Sequence, residues 1–180
     1  MLYKITFKNQ FRALRAVIYG GILLAIIGYV FYRNHHDYDM ESLIFALKAG
    51  AVCYLILIIP ALFLHLEYYI INKKDIVVIN DVEGTISINN QQPIAFDQIE
   101  KIFLLMSPPL YRNDKINYIP FDNYYYAIIK MKEGGRFIFT SLLTPKVEEV
   151  MKQINGVPIE KRRRLIASPL LGRYWFSFWS

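Results

Sequence analysis

Two long apolar runs within residues 1–66 constrain this chain more than any other feature. The stretch AVIYGGILLAIIGYVFY, residues 16–32, carries no charge, and LIFALKAGAVCYLILIIPALFLHL, residues 43–66, is interrupted only by Lys48. A helix needs roughly 20 residues to cross about 30 Å of hydrocarbon, and each run reaches that length with its polar-tipped ends. Both therefore predict membrane-spanning helices. Arg15 and Arg33 bracket the first, and Tyr19, Tyr29 and Tyr32 lie near its ends, where aromatic rings favour the headgroup layer. A secretory signal would need a shorter apolar region and a small-residue cleavage site, which YVFYRNHHDYD lacks. Lys48, about one turn into the second run, can extend its amine to the nearer interface; the sharper alternative makes it an ion-pathway residue. Pro60 removes one backbone donor and is expected to kink the second helix without ending it.

Composition agrees with this partition. At 54% hydrophobic residues, the chain is too apolar for an ordinary soluble protein of 180 residues. Its net charge of +6 is unevenly spread, with +3 in residues 1–66, −1 in residues 67–159 and +4 in residues 160–180. The near-neutral body lacks the basic face that would track phosphates, which argues against nucleic acid as a partner. Four Lys or Arg precede the first span, one lies in the ten-residue loop RNHHDYDMES, and Lys73 and Lys74 follow the second. That bias predicts both termini in the cytoplasm and the loop outside.

From Glu67 onward the period changes from helical to alternating. EYYIIN, DIVVIN and GTISIN read as short β-branched strands separated by turn residues, and IEKIFLLM as a fourth. YYYAIIKMK and RFIFTSL flank EGG, whose paired glycines supply the positive φ of a hairpin turn. A closing helix follows, with Thr144 as N-cap, Pro145 in its first turn, Gly156 at its end, and Val147, Val150, Met151 and Ile154 on one stripe. The expected fold is α+β: a transmembrane helical hairpin followed by an antiparallel sheet of five to seven strands capped by one helix. The boundaries are 1–15 for a cytosolic N-terminal segment, 16–66 for the hairpin (spans about 16–33 and 43–66), 67–157 for the β domain and 158–180 for a tail.

Two segments suggest contact surfaces. SPPLYRNDKINYIPFDN, residues 107–123, is longer than most connections, and Tyr111, Arg112, Lys115 and Tyr118 suit a partner-binding loop, although the segment also reads as an ordinary solvated connection. The tail EKRRRLIASPLLGRYWFSFWS sets Lys161, Arg162, Arg163 and Arg164 ahead of Tyr174, Trp175, Phe176, Phe178 and Trp179. It predicts contact with anionic headgroups, each cation contributing on the order of 1 kcal/mol, with the aromatic rings, Trp175, Phe176 and Trp179 above all, at the interface. The alternative is that the rings fold back over an open sheet face.

Catalytic chemistry is hard to find. Cys53 is the lone cysteine and lies in an apolar run, where it reads as a small hydrophobe. His35, His36 and Asp37 are adjacent, but a metal site needs three or four converging ligands, so they read as a polar loop, and His65 reads as interfacial. Asp97 and Glu100 form a carboxylate pair with no defined pocket. No phosphate-binding glycine loop and no HExxH, CxxC or GxSxG pattern occurs. The chain therefore reads as non-enzymatic, with no cofactor and no metal.

The order of two spans, short strands, the segment PIAFDQIEKI, an aliphatic hairpin and a terminal helix resembles small bacterial membrane proteins with a pleckstrin-homology-like (PH-like) domain, including the YcxB-like proteins. YKITF ahead of the first span adds to that resemblance, which covers most of residues 1–157. It implies a bacterial inner-membrane protein whose cytosolic β-barrel or sandwich is a binding or scaffolding module for a protein or lipid partner. It implies no catalytic residues. Two alternatives remain open at this point: an immunity protein that neutralises a membrane-directed toxin, and a lipid-acting membrane enzyme.

Overall fold

The computed structural model describes residues 1–34, 40–112 and 119–171. A short strand β1, Leu2–Lys4, precedes helix α1, Phe7–Arg33, and helix α2, Met40–Asn72. Thr6 caps α1, its hydroxyl accepting the Asn9 N–H at 3.2 Å. Both helices are long and apolar enough to cross a membrane, Phe7–Arg33 and Ile44–Asn72 by length and composition, and no residue of α1 is buried. They run antiparallel and meet through small residues. Tyr54 lies over Gly20 and Gly21 and donates to the Val17 carbonyl at 2.5 Å, while Leu24 faces Gly50 and Leu47 faces Gly28.

Past Asn72 come β2 (Ile76–Asn80), β3 (Thr85–Ile88), β4 (Ile94–Ala95), β5 (Ile99–Met106), α3 (Pro108–Tyr111), β6 (Tyr126–Met131), β7 (Arg136–Thr140), α4 (Val147–Met151) and β8 (Ile159–Arg163). One antiparallel sheet has the order β1-β2-β3-β4, the other β7-β6-β5-β8. Val77, Ile79 and Ile86 of the first sheet meet Ile102, Leu104, Ala127, Ile129 and Phe139 of the second, and Val147, Val150, Met151 and Ile154 close one end. Gly134 and Gly135 take φ of +88° and +86° at the β6–β7 turn, values that an L side chain rarely adopts.

The outer face of the second sheet is covered as well. Ala61, Leu64 and Tyr68 of α2 pack on Leu105, Tyr126 and Ile128, joined by Tyr124, Leu142 and Ala167. This explains why β5 and β6 read as near-continuous apolar runs: alternate residues face two different cores. The edge of β7 is closed by Asn72, wholly buried, whose amide donates to the Ile138 carbonyl at 2.8 Å and accepts the Thr140 N–H at 3.1 Å.

Several sequence expectations are corrected. EYYIIN is not a strand but the last turns of α2, because Tyr68 and Asn72 pack on the sheet at helical spacing while Tyr69 and Ile70 are exposed. The β architecture therefore draws on residues at both ends of the helical pair, since Leu2–Lys4 pairs with Ile76–Asn80. The second sheet is mixed, because β8 is parallel to β5. Helix α4 is shorter than the expected helix and is capped at Lys146 rather than Thr144. Its first turn is held by the Tyr125 hydroxyl, which accepts the Val147 N–H at 3.0 Å and donates to the Pro145 carbonyl at 2.6 Å. Burial, partly offset by the N–H donated to it, pushes that hydroxyl up to about 12. Gly156 has the left-handed φ expected of it, +80°.

Candidate functional site

The basic run that the sequence places in a membrane tail is largely built into the β domain. After Gly156, Pro158 accepts the Ile102 N–H at 3.0 Å through its carbonyl and delivers the chain to the free edge of β5. Parallel pairing then runs from Ile102 against Ile159 to Met106 against Arg163, and the Arg164 N–H reaches the Met106 carbonyl at 2.8 Å. Side chains alternate along β8. Glu160 takes Lys101 at 2.5 Å and Arg162 at 2.6 Å, which together hold its carboxyl below the usual range. The Arg162 guanidinium also lies 4.3 Å from the centre of the Phe103 ring. Lys161 reaches Glu148 at 2.9 Å, and Lys152 joins the same carboxylate at 2.7 Å. Lys161 and Arg162 thus clamp β8 to the body, whereas Arg163 is exposed and Arg164 half-buried at the strand's end.

The long connection folds at both of its ends. Ser107 is buried and donates its hydroxyl to the Asp122 carbonyl at 2.9 Å, closing the loop between α3 and the 3₁₀ turn Pro120–Asn123. Tyr111 and Arg112 are exposed at its far side. Lys115 and Tyr118 lie outside the described residues, as do Trp175, Phe176 and Trp179 of the tail and His35, His36 and Asp37 of the outer loop.

Because β8 runs parallel to β5, Arg163 and Arg164 emerge at the end of the sheet where β5 passes into α3. Two groups of candidates far apart in sequence, Tyr111 with Arg112 and Arg163 with Arg164, therefore share one rim of the domain. The 3₁₀ turn Pro120–Asn123 at this rim contacts both α1 and α2. The segment after β8 is tied to α2 at the same place. The Tyr68 hydroxyl donates to the Ala167 carbonyl at 2.5 Å, and the Tyr126 hydroxyl reaches the Ser168 carbonyl at 3.4 Å. A helical turn begins at Pro169, where Ser168 accepts the Leu171 N–H at 3.1 Å and the buried Glu67 carboxylate accepts that of Leu170. The second Glu67 oxygen is buried with no hydrogen-bond partner among the described residues.

Leu165, Ile166, Leu170 and Leu171 are exposed on this tethered segment. Sequence reading missed them because it gave the tail's membrane contacts to its cations and aromatic rings alone; four aliphatic residues between the basic and the aromatic cluster were the available signal. An open hollow of about 410 Å³ lies behind the rim, lined by Met106, Leu110, Tyr125 and the charged side chains in α4 and at its two ends. Its cations are largely engaged within the domain, Lys146 by Glu149 and Lys152 by Glu148. Among the described residues no three His, Cys, Asp or Glu side chains converge as a metal-binding group.

Four strands facing four, closed by a helix after β7, define a PH-type β sandwich with a helical pair inserted between its first two strands. A family profile described as PH domain matches residues 2–149, and the chain belongs to that family. Strand β8 and everything after it lie beyond the match. No curated protein and no solved structure matches the chain.

Proposed function

We propose that this chain is a non-enzymatic, membrane-anchored binding module, a PH domain held at the bilayer by α1 and α2 and engaging a protein or lipid partner at the membrane surface. The observation that carries the reading is the position of the helical pair. It interrupts the sheet between β1 and β2, which are neighbours in register from Leu2 against Val78 to Lys4 against Ile76. Two spanning helices that root in adjacent strands leave and re-enter on one side of the membrane, so the domain is fixed to the bilayer at two closely spaced points. Lys8, Arg12 and Arg15 on α1 and Lys73 and Lys74 after α2 support a cytoplasmic assignment for that side. A bacterial inner membrane and kinship with YcxB-like proteins belong to the same proposal, supported by the family and by the resemblance at PIAFDQIEKI.

The test is topological. With Cys53 replaced by Ser, a cysteine at Asp39 is expected to react with an impermeant reagent added outside intact cells, and a reporter fused after Ser180 to be active only inside. Labelling of Asp39→Cys from the cytoplasmic side would overturn the reading.

A further inference from the structure

The helical pair reaches deeper toward the domain than hydrocarbon alone requires. Helix α1 has 27 residues, about 40 Å at roughly 1.5 Å each, which matches the hydrocarbon core together with both headgroup layers. The face of α2 turned away from the sheet stays apolar almost to its end, with Ile59, Leu62, Phe63, Leu66, Tyr69 and Ile70 exposed at helical spacing. Phe7 and Phe11 of α1 are exposed and stacked on each other. In a membrane-anchored chain these residues set the inner headgroup layer at the level of residues 67–70, just before Lys73 and Lys74.

Residues 67 and 68 are also where the segment after β8 is tied down, through Leu170 and Ala167. That segment is held so that its aliphatic side chains point outward: Leu165 is 75% exposed, Leu171 52% and Leu170 43%. Apolar surface of this kind, pinned by hydrogen bonds and flanked by exposed Arg163, is unfavourable in water and suited to a boundary with an anionic layer. We propose that residues 165–171, with Arg163 and Arg164 beside them, rest in the headgroup layer of an anionic bilayer as a third membrane contact that fixes the tilt of the PH domain. The proposal rests on the membrane-anchored reading above and names the ligand class of the rim. It concerns a part of the chain outside the family match, so it describes an addition to the domain rather than a property of the family.

Full-length protein with Cys53→Ser and a single reporter cysteine, Leu165→Cys or Leu23→Cys, would be labelled with an environment-sensitive fluorophore. It would be reconstituted in phosphatidylcholine vesicles with or without phosphatidylglycerol, each containing brominated lipid as quencher. The Leu23 probe is expected to be quenched in both. The Leu165 probe is expected to be quenched about twofold or more strongly when phosphatidylglycerol is present, and to lose that excess in high salt or with Arg163→Glu. An unquenched Leu23 probe would remove the anchored reading itself. A quenched Leu23 probe beside a Leu165 probe that is unquenched, or equally quenched in both vesicles, would overturn the rim contact alone.

Discussion

Asn72 closes a sheet edge with a single side chain. Its wholly buried amide takes the place of a neighbouring strand, matching one carbonyl and one N–H of β7. Asn72→Ala would leave the buried Thr140 N–H and the half-buried Ile138 carbonyl without this partner, at about 1–3 kcal/mol for the buried group and less for the other. Chemical unfolding of the detergent-solubilised protein is expected to show a loss of about 3 kcal/mol. Glu148 is the second residue whose role exceeds its size. Burial raises its carboxyl, but bonds from Lys152 and Lys161 outweigh that and hold it below the usual range. Its ionised form is therefore favoured in the folded chain. The resulting stabilisation is complete above the ordinary glutamate value and disappears as pH falls through the depressed folded one. Glu148→Gln should flatten the acid limb of a stability–pH curve by no more than about 1 kcal/mol, since solvent screens the lysine tips.

Among the elements, the packing of α1 on α2 turns on one tyrosine. A methyl group at Gly21 would stand 2.8 Å from the Tyr54 hydroxyl, and one at Gly20 2.8 Å from its ring. Gly21→Ala is expected to loosen the helical pair, and Tyr54→Phe to relieve that defect while costing the bond to Val17. The two substitutions should be non-additive in a double-mutant cycle read by thermal unfolding in micelles. How far each element could be read in advance follows from its neighbours. The β6–β7 hairpin and the stripe Val147, Val150, Met151 and Ile154 were legible because local turn chemistry and one-sided burial determine them. The end of α2 was not, since it is apolar on its exposed and its sheet-facing sides at once and mimics the composition of a strand. Strand β1 is three residues long and offers no period to detect. Strand β8 is four-fifths charged, and only its pairing partner, far away in sequence, makes it a strand. The same pairing hid the rim, because Tyr111 and Arg163 are brought to one end of the sheet by tertiary structure alone.

At the scale of the molecule, helical pair and sandwich are one folding unit. A fragment of residues 67–180 would lack β1 and would expose Leu105, Tyr126 and Ile128, which Ala61 and Leu64 otherwise help to cover. Each such side chain loses about 1.5–3 kcal/mol of burial when left in water. The fragment is expected to give a collapsed amide spectrum by NMR, in contrast to a dispersed one from the full chain in micelles. The placement of β1 also orders events during synthesis. Leu2–Lys4 is made before both helices and has no strand partner until Ile76–Asn80 has been made after them. If α1 and α2 span a bilayer, as proposed, a chain in which only one of them inserted would leave Leu2–Lys4 and Ile76–Asn80 on opposite sides of the lipid, and β2 with a bare edge open to pairing with other chains. Completion of the sheet would then act as a receipt for the insertion of both helices, issued by a strand of only three residues.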